Sequence, residues 1–317
     1  MNLSSVANNL AREISLNVEE TAIGLFYRDR AHEKASVEVI AQRLANYIYA
    51  DFHAGLSSAA QSAGISVNDR TMRNALEEVT PKKYREVQAK YLREIDKNDV
   101  SEIVISGVRV AVTLPSSSSQ RIPDEIVTVK MQTWRPRLSP GFFLTESAER
   151  PFVTLGPMVR LYVHIENSAD APTIWGSLSS YLCELRVPFR AKILAVAEMY
   201  PRHDALVLYL TRPSWPHLED LVDRLSGLPG VVSGTSVFVR EIRPGIGLAF
   251  QHIDSRDRYR QMSFGQHRAT IVADSLIDRA LGRGLENDVV KIRAQSALID
   301  VDNPWRNTSS PDVLLYL

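Results

Sequence analysis

Three segments of this sequence place cations among residues that favour a β-sheet. They are Arg160-Leu161-Tyr162-Val163-His164-Ile165, Pro188-Phe189-Arg190-Ala191-Lys192-Ile193-Leu194, and Tyr200 to Tyr209, which holds Arg202, His203 and Asp204. An unpaired charge in a buried strand is costly, so the grouping points to an anion such as phosphate opposite the cations. Alternate side chains of a strand share a face, which puts His164 with Tyr162 and Glu166, and Lys192 with Arg190. A His and a Glu two apart would supply half a metal site, but further ligands are not visible at a recognisable spacing. The competing reading of His164 is a half-buried structural histidine. Arg190 and Lys192 fit either a solvated outer face or a cationic pocket. A lysine crowded by other cations holds its proton less firmly and can act as a general base. Arg202 beside Asp204 reads either as a structural ion pair or, through its planar fork, as a phosphate ligand.

Further along, Phe238-Val239-Arg240 leads into Arg243-Pro244-Gly245-Ile246-Gly247, and Ser263-Phe264-Gly265-Gln266-His267-Arg268 opens a helix. Free N–H groups and the positive dipole end make Gly265 to Arg268 a plausible anion cradle. The glycines at 245 and 247 lack the spacing of a nucleotide-binding loop, and a shaped turn near a substrate is the better reading. No GxSxG elbow is present. Ser263, His267 and Asp274 form the nearest Ser/His/Asp grouping, of a kind that arises by chance within one helix.

The elements that must position these residues follow from periodicity. Val39, Ile40, Leu44, Tyr47, Ile48 and Phe52 recur with helical spacing in the stretch from Val37 to Ile65, and a second helix is expected from Thr80 to Ile95 on Tyr84, Val87, Tyr91 and Ile95. Near Val100 the period changes to two. A hairpin around Gly107 and a strand from Ile126 to Met131 flank Ser116 to Ser119, which reads as a mobile loop. Beyond it come strands Met158–Ile165, Phe189–Ala195, Ala205–Leu210 and Ser236–Ile242. Helices are expected over Trp175–Leu185, Pro216–Leu225 and Gly265–Arg283. The fold class is α+β: a helical N-terminal region over residues 1–98, then a mainly antiparallel sheet with packed helices over 99–317.

Composition limits the partners. The 317 residues are 44% hydrophobic and 23% charged, enough for a substantial core, and 37 Lys plus Arg balance 37 Asp plus Glu. Non-specific nucleic-acid binding needs a basic excess, so anion recognition here is local. The single cysteine, Cys183, excludes an internal disulfide and a cysteine-rich metal site, and a reducing compartment suits it. No apolar run approaches the roughly 18 residues of a membrane span, and the N-terminus lacks the pattern of a secretory signal. A cytoplasmic protein with no membrane or nucleic-acid partner is expected.

Six motifs in order resemble the HopA-type effector family over about Val129 to Arg283. They are Pro140-Gly141-Phe142-Phe143, Arg160 to His164, Val187 to Leu194, Tyr200 to Tyr209, Arg243 to Ala249 and Ser263 to Arg268. That family is named for type III effectors of plant pathogens, and it also occurs in class V lanthipeptide and thioamitide pathways as relatives of phosphothreonine lyases. The resemblance implies β-elimination of phosphate from phosphoserine or phosphothreonine of a precursor peptide, leaving dehydroalanine or dehydrobutyrine. It implies no cofactor, and a partner kinase of the aminoglycoside-phosphotransferase type. By the same resemblance Lys192 is the base and His164 the acid, while Arg202 binds phosphate with Arg240 and Arg268 as weaker candidates. Tyr162 stands where a phosphate-binding lysine is expected, so either Lys130 substitutes or activity is altered. His267 competes with His164 as the acid. The alternative is a secreted effector or adaptor that binds a phosphopeptide or chaperone without catalysis, with Met1 to Asn17 as a secretion signal. The N-terminal helices would serve partner binding.

Overall fold

The computed structural model describes residues 2–28, 30, 32–56, 67–95, 100–114, 121–135, 138–284 and 286–312. Helix α1 (Leu3–Ala11) starts where the Asn2 side chain accepts the Ser5 N–H at 2.8 Å, and it buries Leu3, Val6, Ala7 and Leu10, a helical stripe. Strands β1 (Ile14–Val18), β2 (Ile23–Tyr27) and β3 (Glu33–Ala35) form a three-stranded antiparallel sheet. Helix α2 (Val37–Ile48) follows and runs on as a π-helical stretch, Tyr49–Ala54. Next comes helix α3 (Arg70–Val79), capped by the Asp69 carboxylate on the Met72 N–H at 3.0 Å.

A four-stranded antiparallel sheet is built from β4 (Tyr84–Glu94), β5 (Val100–Ile105), β6 (Val108–Thr113) and β7 (Ile126–Gln132), in the order β6-β5-β4-β7. It has its own small core of Ala89, Tyr91, Ile103, Leu114 and Val129. The chain then supplies β8 (Phe142–Glu146), β9 (Met158–Ile165), helix α4 (Ala171–Leu185), β10 (Phe189–Leu194), β11 (Arg202–Thr211), helix α5 (Leu218–Ser226), β12 (Arg240–Arg243) and β13 (Ile246–Phe250). Helices α6 (Asp257–Arg260), α7 (Phe264–Ala280) and α8 (Glu286–Ser296) complete it.

The six strands from β8 on form one antiparallel sheet in the order β12-β13-β9-β11-β10-β8. Val159, Leu161, Val163, Leu206, Leu208, Ala191 and Ile193 line one apolar face, with Thr145 of β8 beside Ala191. Trp175 of α4, wholly buried, packs edge-on against Phe143 there and donates its indole N–H to Thr80 Oγ1 at 2.8 Å. The opposite face carries Arg160, Tyr162 and His164 of β9, Arg190 and Lys192 of β10 and Tyr209 of β11. Phe264 of α7 meets this face at Tyr162, and the π-helical stretch meets it at Asp204 and Tyr162. Leu3, Ile40, Leu44 and Ile48 belong to the same core as this sheet.

The α+β class is as expected, but the first hundred residues are not simply helical. They hold β1 to β4 beside the helices, and β4 replaces the helix expected at Thr80 to Ile95. Val87, Ala89 and Tyr91 alternate with Glu86, Gln88 and Lys90, and pairing with β5 and β7 rewards that period of two over the weaker helical stripe. The strand expected at Ser236 begins only at Arg240, because Val239 N–H turns back to Ser236 O at 3.2 Å. Ser116 to Ser119, and the part of the first helical stretch at 57–66, lie outside the described residues.

Candidate functional site

Register places the chemistry-bearing side chains in rows across the six-stranded sheet. Arg190, Tyr209 and Arg160 are successive cross-strand neighbours on β10, β11 and β9, and Lys192, Val207 and Tyr162 form the next row. Two strand spacings, about 10 Å, separate the rows' ends. His164 lies two residues beyond Tyr162 on the same face.

Lys192 is half-buried, with Nζ 4.0 Å from the centre of the Phe142 ring. Arg202 approaches the same ring at 5.6 Å. A cation over an aromatic face is attracted by the ring quadrupole, so Phe142 helps to fix the lysine. His164 is half-buried too, and its Nδ1 lies 2.8 Å from Ser233 O. A carbonyl only accepts, so Nδ1 carries the proton and Nε2 is left for a proton transfer. The ring meets His203 edge to face, centroids 4.7 Å apart. Gly234 sits beside both rings at φ +102°, a backbone conformation that favours glycine, and a Cβ there would lie 3.4 Å from His164 Nδ1 and His203 Nε2.

Arg202 is brought to this face but is engaged. It is 4% exposed and binds Asp204 through both Nε at 2.7 Å and Nη2 at 2.9 Å, with Tyr49 Oη donating to Asp204 at 3.0 Å. Burial alone would raise the Asp204 pKa, but the Arg202 charge outweighs it and holds the carboxyl well below the usual range. The structural reading of Arg202 is the one its geometry fits. Tyr162 is buried, accepts from Arg160 Nη1 at 3.4 Å, and stands edge-on to His53. Arg160 also donates to Gln251 and lies 4.8 Å over the Tyr209 ring, so its guanidinium supplies positive charge beside Tyr162, at the position where a lysine was expected.

The remaining candidates lie elsewhere. Lys130 is exposed on β7 in the other sheet and is not brought to Lys192 and His164. Arg240 opens β12 beside a cleft of about 580 Å³ and lies 5.5 Å over the Trp305 ring. Arg268 is fully buried, donating to Pro304 O at 2.8 Å, Arg306 O at 3.3 Å, Asn307 Oδ1 at 3.2 Å and His267 Nδ1 at 2.8 Å. His267 donates in turn through Nε2 to Asp254 at 3.1 Å and stacks on His252 at 4.4 Å. Burial, then the Arg268 charge, lowers the His267 pKa to about 3, which fixes it as a neutral strut. The expected anion cradle is closed. In a capping box, Ser263 Oγ accepts the Gln266 N–H at 3.3 Å and Gln266 Oε1 accepts the Ser263 N–H at 2.9 Å, and Gly265 sits so close to His53 that a Cβ would lie 2.1 Å from its ring.

Tyr209, Arg160 and His203 are additions that composition of the motifs did not single out. The Tyr209 pKa falls despite burial, because Arg160, Lys192 and Arg190 together outweigh desolvation. The signal was present in the alternation of Arg160 with Tyr162, but it becomes meaningful only when register sets Arg160 beside Tyr209. Among the described residues no group of three or more His, Cys, Asp and Glu is arranged to hold a metal ion, and no helix is long and apolar enough to cross a membrane.

The model of a family described as the HopA1 effector protein family matches residues 133–306. Two solved structures are similar to this chain, each at 14% identity and a TM-score of 0.47 over 86% of it: an effector protein from Pseudomonas syringae pv. tomato strain DC3000, covered over 95% of its length, and one from Pseudomonas syringae pv. syringae strain 61, covered over 97%. No curated protein matches.

Proposed function

This chain belongs to the HopA1 effector protein family, and from that premise we propose that the polar face of its six-stranded sheet is a phosphoserine/phosphothreonine lyase site. The substrate is a phosphorylated ribosomal precursor peptide, supplied by a kinase of the aminoglycoside-phosphotransferase type in peptide natural-product biosynthesis. The observation that carries this reading is the placement of Lys192 and His164 on one sheet face with only β11 between them.

In the reaction, the unprotonated Lys192 amine takes the Cα proton. The C–H electrons form the Cα–Cβ double bond, and the Cβ–O bond breaks with its electrons leaving on phosphate. Protonated His164 gives its Nε2 proton to the departing oxygen, and Arg160 lowers the cost of the growing negative charge. Dehydroalanine or dehydrobutyrine and inorganic phosphate result. Incubation with a phosphoserine peptide tests this: mass spectrometry should find the peptide short of phosphoric acid, with phosphate released. A peptide recovered intact would reject it.

One observation favours a second reading. Arg202 is held in a bidentate pair with Asp204, so its guanidinium is engaged by the fold rather than free for a departing phosphate, as in an effector or adaptor that holds a phosphopeptide without breaking it. Such a protein would act after secretion through a type III system rather than in the producing cytoplasm. Tight phosphopeptide binding without elimination would identify it.

A further inference from the structure

Where the two larger sheets meet, one buried carboxylate is surrounded by three guanidinium groups. Glu146, at the end of β8, is 9% exposed. Its Oε1 accepts two bonds from Arg190, from Nε at 2.9 Å and Nη2 at 2.6 Å. Its Oε2 lies 3.8 Å from Arg85 Nη1 of β4 and 3.8 Å from Arg135 Nη2. Three positive charges against one negative leave a formal excess of two. At 3.8 Å neither Arg85 nor Arg135 makes a hydrogen bond to the carboxylate, and Arg85 Nε is buried without any hydrogen-bond partner. A guanidinium has five donors; Arg135 spends one, on Gln132 O at 3.1 Å. Arg190 spends both of its bonds on Oε1, so Arg85 and Arg135 share the other oxygen at ion-pair distance only, and one carboxylate is left to balance three guanidinium charges.

The cluster adjoins the face described above. Arg190 and Lys192 are two apart on β10 and share its polar side, a separation of about 7 Å along the strand. An extended peptide has the same spacing between residues two apart, so its side chains at those positions reach Lys192 and the arginine cluster together.

We propose that Arg85, Arg135 and Arg190, organised by Glu146, form a subsite for an oxyanion carried by the peptide two residues from the phosphorylated one. The substrates are therefore acidic around the reacting residue. The oxyanion is the carboxylate of an acidic residue or a second phosphate, since guanidinium forks accept both. The inference rests on the reading of this face as a phosphopeptide site, and its test is a binding measurement, which stands apart from whether elimination occurs.

Fluorescence anisotropy would compare phosphoserine peptides carrying Gln, Glu or a second phosphoserine two residues away on either side, at physiological salt. For the native protein the Glu or the doubly phosphorylated peptide should bind at least fivefold more tightly than the Gln peptide. The Arg85→Gln/Arg135→Gln variant, which keeps the Arg190–Glu146 pair, should bind all of them like the Gln peptide, with elimination from the Gln peptide unchanged. If it fails to fold, Arg135→Gln alone should lose part of the discrimination. Preference for Glu alone identifies a carboxylate subsite, and for the second phosphate alone a phosphate subsite. Equal affinities in the native protein, or a preference retained by the folded variants, would overturn the proposal. Charge-dependent binding without elimination would reject the lyase reading and leave the subsite standing.

Discussion

Arg202 and Asp204 form a bidentate ion pair, Nε–Oδ1 2.7 Å and Nη2–Oδ2 2.9 Å, with side chains only 5% and 4% exposed. The pair lies in the irregular part of β11, where register shifts between Arg202 and Leu206. The π-helical stretch reaches it through Tyr49. It is a joint between the sheet and the helical layer before it is anything chemical.

Removing one partner strands the other charge in the interior. Arg202→Met should therefore destabilise the fold by about 3–5 kcal/mol, and Arg202→Met/Asp204→Leu should recover much of the loss. Urea unfolding of the three proteins checks this. A stable Arg202→Met protein that has lost only phosphopeptide binding would show that the arginine serves the ligand rather than the fold.

Acid should loosen the protein before its carboxylates titrate. Burial lowers the His53 pKa to about 4 and, with Arg268 beside it, the His267 pKa to about 3, against about 6.5 in the unfolded chain. Well above pH 6.5 neither state takes up a proton and the full stability is present. Below it only the unfolded chain binds protons, so each ring removes about 1.4 kcal/mol per pH unit down to its folded value. Between pH 7.5 and 5 the two together should cost roughly 4 kcal/mol. Denaturant unfolding at both pH values measures it, and His267→Gln should flatten the slope. Unchanged stability across that window would contradict the buried neutral rings.

Tyr209 should be an early-ionising tyrosine. Burial opposes its ionisation, yet Arg160, Lys192 and Arg190 prevail, whereas burial pushes Tyr27, Tyr49, Tyr162 and Tyr200 up. In an absorbance titration, Tyr209→Phe should remove amplitude from the low-pH part of the phenol transition. Loss of amplitude only at its high-pH end would mean that the three cations do not converge on this ring.

Gly245→Ala should disable the site through its backbone. Gly245 has φ +75°, and a Cβ there would stand 1.9 Å from Val232 O. Gly245 O accepts the His164 N–H at 2.9 Å, and the Val232 N–H reaches His164 O at 3.3 Å. The strain and the collision together should cost more than about 1 kcal/mol and displace His164. Thermal unfolding and elimination rate should both fall. A variant as stable and active as the parent would contradict the turn geometry.

The three central strands β9, β10 and β11 were legible, β9 because Val159, Leu161, Val163 and Ile165 alternate with Arg160, Tyr162 and His164 in a period of two that admits no helical rival, whereas β8 and β13 are short runs with no such alternation and were not expected. Tyr84 to Ile95 was not, since its apolar residues satisfy both periods and only pairing with β5 and β7 decides between them. Lys192 and His164 could be assigned to strand faces, but not to one shared face, because register between strands distant in sequence is a tertiary property. Arg268 and His267 misled for a related reason. A helix start rich in cations looks like an anion site until the chain at 304–307 folds over it and takes its donors.

The most direct test of the lyase site is mass spectrometry of one phosphoserine peptide treated in parallel with the native protein and with Lys192→Ala. Lys192 is half-buried over Phe142, so the variant should unfold at nearly the native denaturant concentration. The account predicts loss of phosphoric acid with the native protein and an intact phosphopeptide with the folded variant, a rate at least a thousandfold lower, on the order of what a positioned base contributes. Elimination by Lys192→Ala at the native rate would contradict it.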